Sequence, residues 1–225
     1  MAIRPFYMPN FKHTGNLVLE NRVEFNFFTG FALIQKQKSI KSFHESIKNH
    51  IGFDTKILEI SSKSPDVLGV KLSAFYLNIK LDNGITSTVE SIFQGSKVFE
   101  YGGPFTALYN DKSIKAKKFD NLKTSGNLKH FNLLGDTWEL EPKTAFYDWL
   151  YLNALDQNKN LAHEILEYDV FTDIKFNPIK SISCQAKSAA LYVSLVKANL
   201  LVEALKSKDN FLEILQKRKA QNTLF

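Results

Sequence analysis

The stretch STVESIFQGSKVFE, residues 87–100, decides how the chain is read, because it sets a carboxylate, an amide and an ammonium along one helical period. Glu90, Phe93, Gln94 and Lys97 follow i, i+3, i+4 and i+7 and share a side, while Val89, Ile92 and Phe99 fall on a neighbouring apolar side. The pattern predicts a helix anchored to a core by one stripe, with the polar stripe beside it facing a cleft. Gly102-Gly103-Pro104 predicts its end, since glycine accepts a left-handed cap and proline cannot continue a helix. A local role for Glu90 competes with a chemical one. Ser87-Thr88-Val89-Glu90 has the form of a capping box, in which the serine accepts from the backbone of residue 90 and the glutamate reaches back to the amide of Ser87.

Around this segment the chain alternates between strand and helix signals. Residues 17–27, LVLENRVEFNF, predict two half-buried strands joined by a turn at Glu20-Asn21-Arg22. Residues 39–51 carry Ile40, Phe43 and Ile47 at helical spacing, closed by Gly52. KILEI (56–60) and VLGVKLSAFYLNIKL (67–81) read as strands on either side of the turn-like SSKSPD, and Asp82-Asn83-Gly84 ends the second. Glu141-Pro142 opens a helix with Phe146, Trp149, Leu150 and Asn153 on one face, interrupted at Asn158-Lys159-Asn160. From Gln185 onward the chain is helical, with a break near residues 207–210 and a frayed end. The sum is an α+β protein, mainly helical, with a small antiparallel sheet from its N-terminal half, folded as a single domain over residues 1–225.

Composition bounds the class. A chain that is 44% hydrophobic and 13% aromatic, with 19 Phe, buries a substantial core and is not disordered. The single cysteine, Cys184, excludes an internal disulfide and fits a reducing compartment, and no Cys/His cluster has metal-ligand spacing. The opening MAIRPFYMPNF is broken by Pro5 and Pro9 and lacks the apolar run of a signal peptide, and nothing approaches a membrane span, so a cytoplasmic protein is expected. A formal charge of +6 favours polyanions, but only Arg4, Arg22 and Arg218 are arginines, and a lysine-rich solvated surface would give the same balance. Phosphate-binding loops, dinucleotide fingerprints and nucleophile elbows are absent from the sequence.

Several spaced motifs resemble one family. LSAFYLNIKL from Leu72, followed after a turn by STVESIFQGSKVF, is similar to the NADAR (YbiA-like) pattern of an LSNFY-like strand and a SEHxFQAxKF helix. Glu90, Phe93, Gln94, Lys97 and Phe99 stand at that pattern's positions, and Ser91 replaces its histidine. Residues 144–178 resemble the family's long helix and acidic D-x-x-W-G turn, with Asp169 at the aspartate, Phe171 in place of tryptophan, and Thr172-Asp173 in place of the glycine-containing continuation. Residues 187–200 resemble the closing helix, and GFALIQKQKSIKSFHESIK (30–48) resembles the subgroup paired with DarT-type DNA ADP-ribosylating toxins.

The resemblance implies cleavage of an N-glycosidic bond, and in the subgroup removal of ADP-ribose from guanine in DNA, as antitoxin to a DarT-type toxin. It gives Glu90 the task of stabilising a cationic sugar carbon and activating water. Asp169 is its second carboxylate, with Asp173 in reserve. Lys97 would neutralise the pyrophosphate, Gln94 would bond ribose or base, and Phe93 and Phe171 would stack on a ring. Lys115, Lys117 and Lys118, with Lys36 and Lys38, are expected to track the DNA backbone of a single-stranded or flipped substrate. Neither metal nor cofactor is expected. Two other readings stay open: an N-glycosidase of small phosphorylated ribosyl-amines, and a DNA- or toxin-binding module without turnover.

Overall fold

The structure, a computed structural model, describes residues 1–12, 15–30, 32–179 and 181–220. In chain order they form β1 (Ala2–Pro9), β2 (Val18–Phe25), α1 (Leu33–Ile51), β3 (Ile57–Glu59), α2 (Val67–Lys71), β4 (Asn78–Lys80) and β5 (Thr86–Thr88). There follow α3 (Val89–Gly95), β6 (Lys97–Phe99), a 3-10 turn (Thr106–Asn110), α4 (Ser113–Lys117), α5 (Asn121–Thr124), β7 (Leu128–Leu133) and β8 (Asp136–Trp138). The remainder is α6 (Ala145–Gln157), α7 (Lys159–Glu164), a 3-10 turn (Ile165–Glu167), β9 (Val170–Thr172), α8 (Gln185–Lys197), α9 (Leu201–Leu205) and α10 (Lys208–Ala220). This is an α+β architecture. The chain divides into two compact units, Met1–Ser73 with Asn160–Phe225, and Ala74–Lys159.

The first unit is built on a sheet of order β2-β1-β9-β3, in which β1 pairs antiparallel with β2 and β9, and β9 runs parallel to β3. Successive residues of a strand face opposite sides, and β1 uses both. Phe6 joins Phe25, Ile40, Phe43, Ile47, Val170 and Ile174 in a core under α1, where the Phe25 and Phe43 rings stack at 4.6 Å. Tyr7 instead meets Cys184, the residue that opens α8. The α8 helix is itself deeply buried, and Ser194 on it donates to Leu17 O (2.5 Å) and accepts from Asn10 N (3.0 Å), fastening the helix to the ends of β1 and β2.

The second unit centres on α3 and α6. Aromatic rings fill its interior: Phe131 stacks on Phe146 at 4.7 Å, Phe93 lies 5.3 Å from Phe131, and Trp138 lies 5.5 Å from both Phe146 and Trp149. Gln157 at the end of α6 accepts from Lys80 N and donates to Lys80 O, so the β4–β5 hairpin is held by a side-chain amide that imitates a strand. Sheet β6-β7-β8 completes the unit.

Several expectations need correction. Residues 18–25 form one continuous strand, with no turn at Glu20-Asn21-Arg22; their partner is the proline-bearing segment 2–9. β9 touches β1 only at Tyr7, which leaves the side of β1 away from β2 without a strand at Pro5 and Pro9, where a missing N–H is tolerated. Residues 67–71 are helical, capped by Asp66 Oδ1 accepting from Leu68 N (2.8 Å), so only the end of VLGVKLSAFYLNIKL is strand. The helix of the opening stretch stops at Gly95. Ser96 O accepts from Asn132 N (2.7 Å), which draws the chain into β6, and Gly103 then packs against that strand at φ +98, where a Cβ would lie 2.2 Å from Lys97 O. Lys112 to Lys118, which carry no clear periodicity, contain α4, and the break before α9 at Asn199 (φ +56) was not expected. The expected fraying of the last residues lies outside the described residues.

Candidate active site

The polar stripe of α3 exists because the helix cap is displaced by one residue. Thr88, not Ser87, is the N-cap, its Oγ1 accepting from Ser91 N (3.2 Å), while the amides of Val89 and Glu90 donate to Leu77 O and Ala74 O, both at 2.9 Å. The Glu90 side chain therefore does not turn back to Ser87 and is free for other partners. It is 5% exposed. Gln94 Nε2 donates to Glu90 Oε1 (3.0 Å), and Lys97 Nζ donates to Gln94 Oε1 (2.7 Å), which gives the row carboxylate, amide, ammonium. Lys97 reaches the row from β6 rather than from the helix.

A second ammonium enters from α4. Lys117 Nζ lies 3.4 Å from Glu90 Oε1, and hydroxyls secure the start of its helix. Ser113 Oγ bonds Thr88 Oγ1 (2.7 Å) and donates to Phe75 O (2.9 Å), while Ser91 Oγ donates to Asp111 O (2.9 Å). Ser91, the serine at the family's histidine position, thus serves to seat the segment that delivers Lys117. Each lysine also crosses an aromatic face, Lys97 at 4.9 Å from the Phe93 centroid and Lys117 at 5.0 Å from Phe75. Burial lowers Lys97 to about 8, Glu90 raises it, and Lys117 lowers it again. Phe93 leans on Phe131, Phe146 and Tyr147, so its packing is chiefly with the core.

The remaining predicted acidic and aromatic residues belong to the first unit. Asp173 is buried; its Oδ1 accepts from Lys175 N (2.9 Å) and Phe176 N (3.2 Å), and its Oδ2 accepts from Gln185 Nε2 (3.0 Å). Glu59, wholly inside, accepts from Thr172 Oγ1 (2.6 Å) and Ile174 N (2.8 Å), and His44 Nε2 meets the same threonine hydroxyl at 2.9 Å. Burial pushes both carboxyls up, Asp173 to about 7 with the charge of Glu59 adding to the effect. Burial also lowers His44 to about 4. Asp169 is exposed, and its Oδ2 accepts from Lys56 N (3.0 Å), a turn-fixing role at the start of β3. Phe171 must be withdrawn as a stacking platform: it is 0% exposed on β9, between β1 and β3.

The predicted DNA lysines separate. Lys115 on α4 and Lys118 just past its end are exposed; Lys117, though exposed too, is part of the Glu90 cluster. Lys36 covers the Phe27 ring at 4.9 Å, and Lys38 lines a groove of about 1230 Å³ along α1 with His44, His163 and Tyr168. Sequence reasoning missed Glu59 and Gln185; an acidic residue inside the apolar run KILEI was the available signal for the first. Among the described residues no group of three or more His, Cys, Asp or Glu is arranged to hold a metal ion, and no helix is long and apolar enough to cross a membrane.

Among known families, a model described as "DarT1-associated NADAR antitoxin" matches residues 2–224. No curated protein matches the chain.

Proposed function

Because the chain belongs to the DarT1-associated NADAR antitoxin family, we propose that it is an ADP-ribosyl glycohydrolase that cleaves the N-glycosidic bond between ADP-ribose and guanine in DNA and so reverses the action of a DarT-type toxin. The observation that carries this reading is the row Glu90, Gln94, Lys97: a carboxylate removed from water, oriented by an amide and flanked by ammonium groups.

The chemistry follows from those residues. As the bond to the base nitrogen lengthens, the anomeric carbon becomes cationic, and a carboxylate already stripped of water interacts with that charge more strongly than a solvated one. Glu90 also accepts the proton of the attacking water and passes it to the departing base nitrogen, a contribution on the order of 10²–10⁴ in rate for positioned acid–base groups. Gln94 holds the carboxylate in one orientation. Lys97 offers its ammonium to the diphosphate. We take residues 1–225 to act as one functional domain in the cytoplasm, without a cofactor.

The test is multiple-turnover incubation with an oligonucleotide ADP-ribosylated on guanine. Release of free ADP-ribose in excess over enzyme supports the reading. A stable complex without release would instead make the protein a binding module, and turnover confined to a small phosphorylated ribosyl-amine would move the activity to that substrate class.

A further inference from the structure

Lys117 stands where sequence reasoning expected a contact to the DNA backbone, yet it is engaged with Glu90. The Glu90 side chain is 6% exposed and that of Lys117 56%, so the carboxylate lies inside and the ammonium covers it from the solvent side. Among the described residues Lys117 makes the ion pair to Glu90, while Lys97 is tied to Gln94 instead. The backbone of α4 is fixed by Ser113 and by the bond from Ser91 to Asp111 O, so what can move is the lysine's own flexible stem across Phe75.

We propose that Lys117 is a latch on Glu90 that a ligand carrying a diphosphate releases, so that one lysine both covers the carboxylate and selects the substrate. This rests on the glycohydrolase reading and names how that site recognises its ligand. In the closed state the ammonium occupies the approach to Glu90 Oε1, where a water or a cationic sugar carbon must come. The cluster holds one carboxylate against two ammonium groups, so an incoming anion is favoured. A diphosphate offers several charged oxygens where Glu90 offers one free face, and transfer of Lys117 to the diphosphate uncovers the carboxylate only when the correct ligand is seated. A neutral riboside has nothing to exchange for the carboxylate and leaves the latch closed.

The experiment is a double-mutant cycle read by calorimetric binding of ADP-ribose to the full chain, which needs no turnover. Lys117→Gln is expected to weaken ADP-ribose binding by about tenfold, with Lys117→Arg restoring most of it. Glu90→Gln is expected to tighten binding several-fold in the native background, because the latch no longer has to leave a charge, and to give no gain in the Lys117→Gln background. An equal gain in both backgrounds would reduce the effect to repulsion between Glu90 and the ligand and overturn the latch. So would unchanged affinity in Lys117→Gln, or failure of ADP-ribose to bind the native protein. The cycle and the release assay fail separately. Intact coupling without release from DNA would remove the glycohydrolase reading alone, whereas release without coupling would remove the latch alone.

Discussion

The ammonium of Lys97 donates to the side-chain oxygen of Gln94 across 2.7 Å, although the two residues belong to a strand and a helix that meet at Ser96. Burial has lowered Lys97 to about 8, against the ordinary 10.5. A lysine that binds diphosphate must be protonated, so ADP-ribose affinity is expected to fall as pH rises through about 8. Lys97→Arg, which keeps its charge throughout, is expected to remove that fall. Calorimetric titrations at pH 7 and 9 test this; a pH-independent affinity in the native protein would contradict it.

Burial, which lowers Lys97, raises the carboxyls of Asp173 and Glu59 and so gives the fold a pH dependence of its own. Burial holds the Asp173 proton up to about 7, against 3.8 for an ordinary aspartate, so between those values the native state binds more protons than the unfolded chain. Stability contributed by this group is complete below about 4 and is lost as pH rises toward 7. Urea midpoints of the native protein should therefore decline across that window relative to Asp173→Asn, and parallel profiles for the two proteins would refute the assignment.

Gly95 is where the site's scaffold is tightest. A Cβ there would lie 2.6 Å from Tyr109 Cε1 and 3.0 Å from Phe105 O, and Tyr109 is buried with its hydroxyl on Ser96 Oγ at 2.9 Å. Gly95→Ala is expected to cost about 1–3 kcal/mol, the usual range for overpacking. It should also disturb the 3-10 turn that leads into α4. Chemical denaturation reads the first effect, and a loss of ADP-ribose affinity at a temperature where the variant is folded reads the second.

Lys115 is exposed on the short helix that carries Lys117, and Lys118 is exposed just past its end. If they follow the strand, the double substitution to glutamine weakens single-stranded oligonucleotide binding and reduces the salt slope by about 0.7 for each phosphate that is no longer neutralised. It should leave the affinity for free ADP-ribose unchanged. A fall in both affinities together would show that these lysines act through the fold.

Legibility differed by element for physical reasons. α1 was readable because Ile40, Phe43 and Ile47 meet one apolar sheet face, the situation in which a 3.6-residue period carries its full signal. Glu90, Gln94 and Lys97 stand in one hydrogen-bonded row, but the period that grouped them extends past the real helix; Lys97 joins because β6 leaves Ser96 on the same side. β1 was not legible, since Pro5 and Pro9 argue against a strand unless one knows that β9 meets it only at Tyr7. The motif that suggested a ring platform at Phe171 could not reveal that its strand lies in the sheet interior. Lys117 read as surface charge because nothing local announces that Ser113 will bond a residue of another helix's cap. Tertiary packing decided each of these cases.

The central claim is that Glu90 acts chemically rather than as a helix cap, and Glu90→Gln separates the two roles. Glutamine fits the same space and accepts from Gln94 as before, but it carries no charge and takes no proton. The decisive measurement is the single-turnover rate of ADP-ribose release from guanine-modified DNA by this variant, beside its melting temperature. The account predicts a rate lowered by on the order of 10² or more with a melting temperature close to that of the native protein. A variant that melts normally and releases ADP-ribose at the native rate would contradict it.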